Sequence, residues 1–295
     1  MSSIALETQR PRSITRDYLE LSKSRIVLMV LITTAAGYLF AATEVAPFLL
    51  LHTLIGTALV AAGTNALNQY VERHHDAEMH RTRMRPLPAG RITARAALLF
   101  SSLIAVAGTV YLGLLVNWLT AFLGAFTLTS YIFVYTPLKR VSTVCTIIGA
   151  VPGAIPPLMG WAAATGELGL GGWIILGILF FWQLPHFMAI SWMYREDYAR
   201  GGFVMLSTLD PDGTAVARQA IFYSLALLGV SVLPATFGLA GWTYLAGAVI
   251  GGTALLVASV RFFFDRSRPR ARSLFMLSNV YLLIVMLLLV VDARS

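Results

Sequence analysis

Residues 51–90 read LHTLIGTALVAAGTNALNQYVERHHDAEMHRTRMRPLPAG. An apolar run runs without a break into a stretch, residues 65–90, that holds two Asn, two Glu, one Asp, three His and four Arg. Ionisable groups at membrane depth are expensive and mark function by default. The apolar half of this stretch fixes the kind of fold, and the polar half asks for a chemistry.

Working outward, the whole chain has the same character. Its 295 residues are 57% hydrophobic and 12% charged, with a mean hydropathy of +0.74, which excludes an ordinary soluble domain. Apolar windows of roughly 18 to 25 residues, the length that spans a bilayer as helix, fall at about 24–43, 47–71, 95–116, 118–136, 142–163, 172–192, 217–238, 241–263 and 273–291. The expected fold is therefore all-α, a polytopic membrane protein of nine transmembrane helices. Residues 1–22 read as a cytoplasmic N-terminal segment and residues 23–295 as one nine-helix domain. Gly149, Pro152, Gly153, Pro156 and Pro157 sit inside one window, which a bundle tolerates because neighbouring helices re-satisfy the backbone. No barrel alternation is present. Residues 15–27, TRDYLELSKSRIV, open with a short interfacial amphipathic pattern.

A net charge of +8 raises the question of nucleic acid, but the distribution of the charges answers for topology. Arg10, Arg12, Arg16, Lys23 and Arg25 stand at the first helix, and Arg73, Arg81, Arg83, Arg85, Arg91 and Arg95 between the second and third. Lys139 and Arg140, then Arg195, Arg200 and Arg218, then five arginines from Arg261 to Arg272 mark every second loop thereafter. The intervening loops carry only Glu44 and Glu167. Under the positive-inside rule the N-terminus and the basic loops face the cytoplasm and the C-terminus faces out. The polar start has neither a signal-peptide apolar region nor a transit composition, so a bacterial inner membrane is the simplest address. The single cysteine, Cys145, offers no disulfide framework and no cysteine metal site.

Asn68, Glu72, Asp76 and His80 recur every fourth residue, which lines them along one helix face. Two carboxylates one turn apart repel unless a cation lies between them. Hard oxygens of this kind suit Mg2+, which keeps waters and takes one or two carboxylates together with substrate phosphate oxygens. Arg81 and Arg85, with Arg73 nearby, suit the remaining phosphate charge. A solvated loop carries mixed charge as well, and the spacing alone leaves both readings open. A zinc site lacks a second cluster to complete a tetrahedron around His74, His75 or His80. Two further polar stretches, YTPLKR (residues 135–140) and FFWQLPHFMAISWMYREDYARGGFVML (residues 180–206), lie at helix ends on the same predicted side. The second contains Gln183, His186, Arg195, Glu196, Asp197, Tyr198 and Arg200. The ends of the second, fourth and sixth helices are thus expected to converge.

Taken together, NQYVERHHDAEMHRTRMRPLPAG, YTPLKR, GAVPGAIPPLMGWAAATG and WQLPHFMAISWMYREDYARGG resemble the protohaem IX farnesyltransferases, or haem O synthases. These are a branch of the UbiA-type intramembrane prenyltransferase superfamily that also makes ubiquinone and menaquinone precursors. The similarity runs over about residues 19–207, and the last three helices match in hydropathy alone. The resemblance implies a nine-helix bundle with a central cavity open to the cytoplasmic side and the lipid. It also implies transfer of a farnesyl group from farnesyl diphosphate to a vinyl group of haem b, with water added, giving haem O; haem b is then a substrate and Mg2+ the cofactor. Carried onto this chain, the Asn-and-acid motif falls on Asn68, Glu72 and Asp76 as catalytic metal ligands. Arg81, Arg85, Lys139 and Arg140 fall at the diphosphate, and Gln183, His186, Tyr194, Asp197 and Tyr198 match the block on the sixth helix.

Departures from the family pattern are Glu72 where many relatives have Asp, His74 where some have an acid, and Ser24 in place of Pro. His186 stands about where quinone-type relatives place the first acid of a second aspartate motif. It is the candidate iron ligand, against the alternative of a structural histidine hydrogen-bonded to a helix end after Pro185. Arg195 and Arg200 are the candidate partners of the haem propionates. Phe180, Phe181, Trp182 and Trp192 offer π faces to a carbocation, though membrane aromatics also serve packing. Two rival functions remain at this stage: a quinone-type acceptor, and a transporter. The second fits less well, since transporters hold their charges near the midplane whereas these gather at one face. A haem A synthase or a terminal oxidase assembly is the expected recipient of the product.

Overall fold

The structure, a computed structural model, describes residues 13–293, so residues 1–12 of the expected N-terminal segment lie outside the described residues. The described residues form helices in the order α1 (Ile14–Leu21), α2 (Ser24–Ala41), α3 (Pro47–Glu78), α4 (Ala94–Leu115) and α5 (Trp118–Thr129). A π-helical turn, Ser130–Tyr135, leads from α5 into α6 (Thr136–Leu138). Then come α7 (Cys145–Thr165), α8 (Leu170–Met193), α9 (Arg195–Arg200), α10 (Leu206–Leu209), α11 (Thr214–Ser231), α12 (Leu233–Thr236), α13 (Trp242–Phe264) and α14 (Arg268–Asp292). Among the described residues nine helical spans are long and apolar enough to cross a membrane, as the hydropathy predicts.

Two boundaries differ from the sequence reading in ways that matter. The second span does not end near residue 71, where hydropathy falls, but continues to Glu78. Neither Gly nor Pro occurs between residues 64 and 85, so nothing in the backbone stops the helix, and the whole Asn-and-acid row rides on one continuous element. The fourth span is broken by the π turn. Both the backbone N–H and the hydroxyl of Thr136 reach back five residues to the carbonyl of Tyr131, the hydroxyl at 2.8 Å.

The helices sort into two bundles. One comprises α2, α3, α4, α5 and α7, the other α8, α11, α13 and α14, and the seams run along α7–α8 and α2–α14. Within the first, α2 and α7 approach backbone to backbone, in the manner that small residues permit in membranes. A Cβ on Gly160 would lie 2.0 Å from the Thr34 carbonyl oxygen, and one on Gly37 would lie 2.0 Å from that of Pro157. The second bundle buries Ile175, Ile178, Leu227, Leu255, Phe262 and Leu274 together. Trp118, Phe133, Trp242 and Phe264 project outward, as side chains facing lipid do.

The short helix α1 forms where the amphipathic pattern predicts it. Arg91 donates to Asp17 at 2.8 Å and to Glu20 at 2.9 Å. Gln69 Nε2 donates to the carbonyl of Leu21 at 2.7 Å. These bonds fasten the α1–α2 corner against the polar half of α3.

Candidate active site

Each member of the row on α3 meets a partner supplied by a different element. Asn68 stands between the α1–α2 corner and the π turn: its Oδ1 accepts from Lys23 Nζ at 3.1 Å, and its Nδ2 donates to Thr136 Oγ1 at 3.3 Å. One turn on, Glu72 Oε1 accepts from Lys139 Nζ at 2.7 Å. A further turn on, both oxygens of Asp76 accept from Arg85 Nη1, at 2.8 and 2.7 Å. Asn68, Glu72 and Asp76 are all buried. The two carboxylates thus pair with two of the four cations that the sequence assigns to diphosphate.

The convergence of helix ends is also present. The carboxylate of Asp197, in α9, accepts from the backbone N–H of His80 at 3.0 Å and pairs with Arg200. His75 Nδ1 donates to the carbonyl of Gly201 at 3.0 Å. The backbone N–H of Val204 donates to the carbonyl of Lys139 at 2.7 Å. The ends of α3, α6 and α8–α9 are thereby joined at one side of the molecule.

Not every expected residue enters this cluster. The Arg81 guanidinium lies over Tyr194 at 4.8 Å and Tyr198 at 5.7 Å, at the rim. Arg140 is exposed and, unlike its neighbour Lys139, forms no ion pair with the row among the described residues. Arg73 folds back over Tyr70. Arg195 stacks on Trp192 at 4.3 Å, and Arg200 is taken up by Asp197. His186 is 9% exposed. Its ring packs against Trp182 and Phe275, at centroid distances of 4.9 and 4.8 Å, with Nδ1 2.8 Å from Ser278 Oγ.

Other members were not visible as site residues in the sequence. Lys23 counts there only as a topological charge. In the structure it is the one non-glycine described residue with positive φ, 52°, and this left-handed turn at the start of α2 carries its ammonium to Asn68. Burial above all, then the Arg85 guanidinium, lower the Lys23 pKa to about 7, with the Glu72 carboxylate pulling the other way. Burial also disfavours the Lys139 ammonium, but Glu72, Tyr135 and Tyr131 outweigh it and hold its pKa well above the usual lysine value. The Lys139 ammonium stands 4.3 Å from the Tyr135 ring centroid and 5.9 Å from that of Tyr131. The π turn is what presents both rings.

Among the described residues no three His, Cys, Asp or Glu side chains gather as a metal site. What α3 supplies is two carboxylates and an amide oxygen, one turn apart and all hard donors. That set fits an ion which completes its shell with water and phosphate oxygens, as Mg2+ does, and would not satisfy zinc. Two open grooves, of about 280 Å³ between α13 and α14 and about 260 Å³ beside Trp242, lie away from this cluster. No member of the polar row lines either of them.

The chain is thus a multi-pass helical bundle with a buried row of oxygen donors and cations at one end of its helices. Residues 30–283 match the UbiA prenyltransferase family, and the chain belongs to that family of prenyltransferases. A similar relative, the protohaem IX farnesyltransferase of Solibacter usitatus, is 47% identical over 94% of this chain and 98% of its own length. The fold is shared with a digeranylgeranylglyceryl phosphate synthase, at a TM-score of 0.79 and 19% identity over 95% of this chain and 98% of that one. It is shared too with a UbiA homologue from Archaeoglobus fulgidus bound to GPP and Mg2+, at a TM-score of 0.66 and 14% identity, covering 92% and 99%.

Proposed function

We propose that this chain transfers the farnesyl group of farnesyl diphosphate to a vinyl group of haem b, with addition of water, giving haem O. One observation carries the diphosphate half of this reading: on a single face of α3, Asn68, Glu72 and Asp76 each stand against a partner drawn from another element, two of the three as carboxylate–cation pairs. The likeness to a protohaem IX farnesyltransferase along nearly the whole chain supports the haem half.

In this reading Glu72, Asp76 and Asn68 would hold Mg2+, and the ion would supply charge neutralisation of the departing diphosphate. Lys139 and Arg85, released from the acids, hold the phosphate oxygens, and Lys23 adds a third cation from the α2 corner. Arg81 and Arg140 stand further out and guide the anion inward. Pairing cations with a leaving group whose charge grows in the transition state is electrostatic catalysis, and it needs no covalent nucleophile. Tyr131 and Tyr135 present π faces beside Lys139, where a developing allylic cation benefits from them. His186, Arg195 and Arg200 make up the haem side, in a central cavity that opens toward the cytoplasm. The expected setting is the cell inner membrane, with the N-terminus cytoplasmic and the C-terminus outside, and the product is passed to a haem A synthase or a terminal oxidase assembly.

The test is direct. Purified protein in lipid nanodiscs is given haem b, farnesyl diphosphate and Mg2+, and the extracted haem is read by mass spectrometry. A haem carrying one farnesyl and one water is expected. Prenylation of an added quinone precursor, with haem b left unchanged, would replace this acceptor with the aromatic one.

A further inference from the structure

The surroundings of His186 specify which of its nitrogens carries the proton. Ser278, on α14, has one hydroxyl hydrogen and two close partners: its Oγ lies 2.7 Å from the Phe275 carbonyl oxygen and 2.8 Å from His186 Nδ1. A carbonyl oxygen only accepts, so the serine hydrogen goes to Phe275 and the serine oxygen accepts from His186. The imidazole is then the Nδ1–H tautomer, and Nε2 keeps its lone pair. Ser278 is itself fixed, because its backbone carbonyl accepts from Trp182 Nε1 at 2.6 Å. Trp182 and Phe275 pack against the ring at interplanar angles of 32° and 38°, and Phe187 meets it at 66°.

Nε2 has no hydrogen-bond partner among the described residues, yet it is not among the side-chain atoms sealed away without one. A polar atom on a side chain this buried calls for a partner. His186 and Glu72 each lie about two helical turns from the end of their helix, and those ends are the ones joined through His80 and Asp197. The two residues thus stand at comparable distances along their own helices from the joined ends.

We propose that Ser278 is a positioning residue that locks His186 in the Nδ1–H tautomer, so that Nε2 ligates the iron of the haem substrate and sets the macrocycle for attack by its vinyl group. The arrangement is the one in which a ligating histidine donates its second N–H to an oxygen that fixes ring and tautomer. This inference rests on the haem reading given above.

The experiment uses the full chain in nanodiscs, titrated with ferric haem b and followed by the Soret band and by electron paramagnetic resonance, with farnesyl diphosphate titrated separately. The wild type should bind haem with a histidine-ligated spectrum. His186→Gly should lose that spectrum and regain it when imidazole is added. Ser278→Ala should weaken haem affinity by about 10- to 100-fold, the usual effect of removing such a partner, and alter the spectrum. Ser278→Thr should restore both. Affinity for farnesyl diphosphate should hold in all variants, which also certifies their fold. If haem binds with the same spectrum and affinity in wild type, His186→Gly and Ser278→Ala, the ligation is wrong while the haem reading survives. If the wild type binds no haem, both fall together.

Discussion

The pair Glu72–Lys139 separates what these residues do for the fold from what they do for the reaction. Its atoms are 2.7 Å apart, and the side chains are only 8% and 12% exposed, so neither charge can fall back on bulk water. Removing one partner of such a pair costs about 3–5 kcal/mol, chiefly because the other is left buried and unpaired. Glu72→Gln keeps an acceptor for the Lys139 ammonium and should therefore cost about 3 kcal/mol, the low end of that range. Lys139→Met strands a carboxylate that Lys23 still opposes, which reduces the loss to about 2 kcal/mol, the worth of a hydrogen bond to a charged group. The double variant removes both charges and should cost no more than about 2 kcal/mol, a coupling of about 3 kcal/mol between contacting residues. Turnover should not follow stability: all three variants should be slower on the order of 10²- to 10³-fold. Unfolding in mixed micelles of rising SDS fraction, followed by tryptophan fluorescence, gives the stabilities, and haem O formation gives the rates. Additive losses in the double variant would refute the pairing, and turnover that recovers along with stability would refute the catalytic assignment.

Three further outcomes are expected. Gly160→Ala drives a methyl to 2.0 Å from the Thr34 carbonyl and should cost at least about 3 kcal/mol, at or beyond the usual overpacking range, whereas Gly229→Ala, which meets nothing within 4 Å, should leave the unfolding midpoint in place. Farnesyl diphosphate should raise the thermal midpoint only when Mg2+ is present, and Mg2+ alone should do little, because Lys139 and Arg85 occupy the acids until an anion draws them off; equal protection in excess chelator counts against this. Reporter fusions after Gly90 and after Glu167 should give opposite topological signals, and matching signals would break the nine-span orientation.

The nine spans were legible because hydropathy is a sum over some twenty residues and tolerates local error. The row on α3 was legible because a four-residue spacing becomes a face whenever the backbone is helical, and nothing interrupts this one. What escaped the sequence depends on single backbone angles or on distant contacts. Lys139 and Arg140 are alike as letters, but one is buried against Glu72 and the other is exposed; the turn between α6 and α7 decides which. Lys23 enters the site through one left-handed residue, which local pattern does not announce. Ser278 meets His186 across 92 positions, from a helix where the sequence reading found likeness to the family in hydropathy alone, although the family match extends to residue 283.

The π-helical turn between Ser130 and Tyr135 fits one more residue into a helix than an α-helical path would need. Each residue of an α-helix turns the chain by about 100°, so closing that turn would swing everything after it round by about that angle. Lys139 would then face away from Glu72, and the two tyrosine rings would be carried off with it. The active centre of this chain thus depends on a length as well as on its side chains. Deletion of a single codon among residues 132–134 would leave every functional residue in the sequence and yet take the site apart, whereas many substitutions at those three positions would be absorbed.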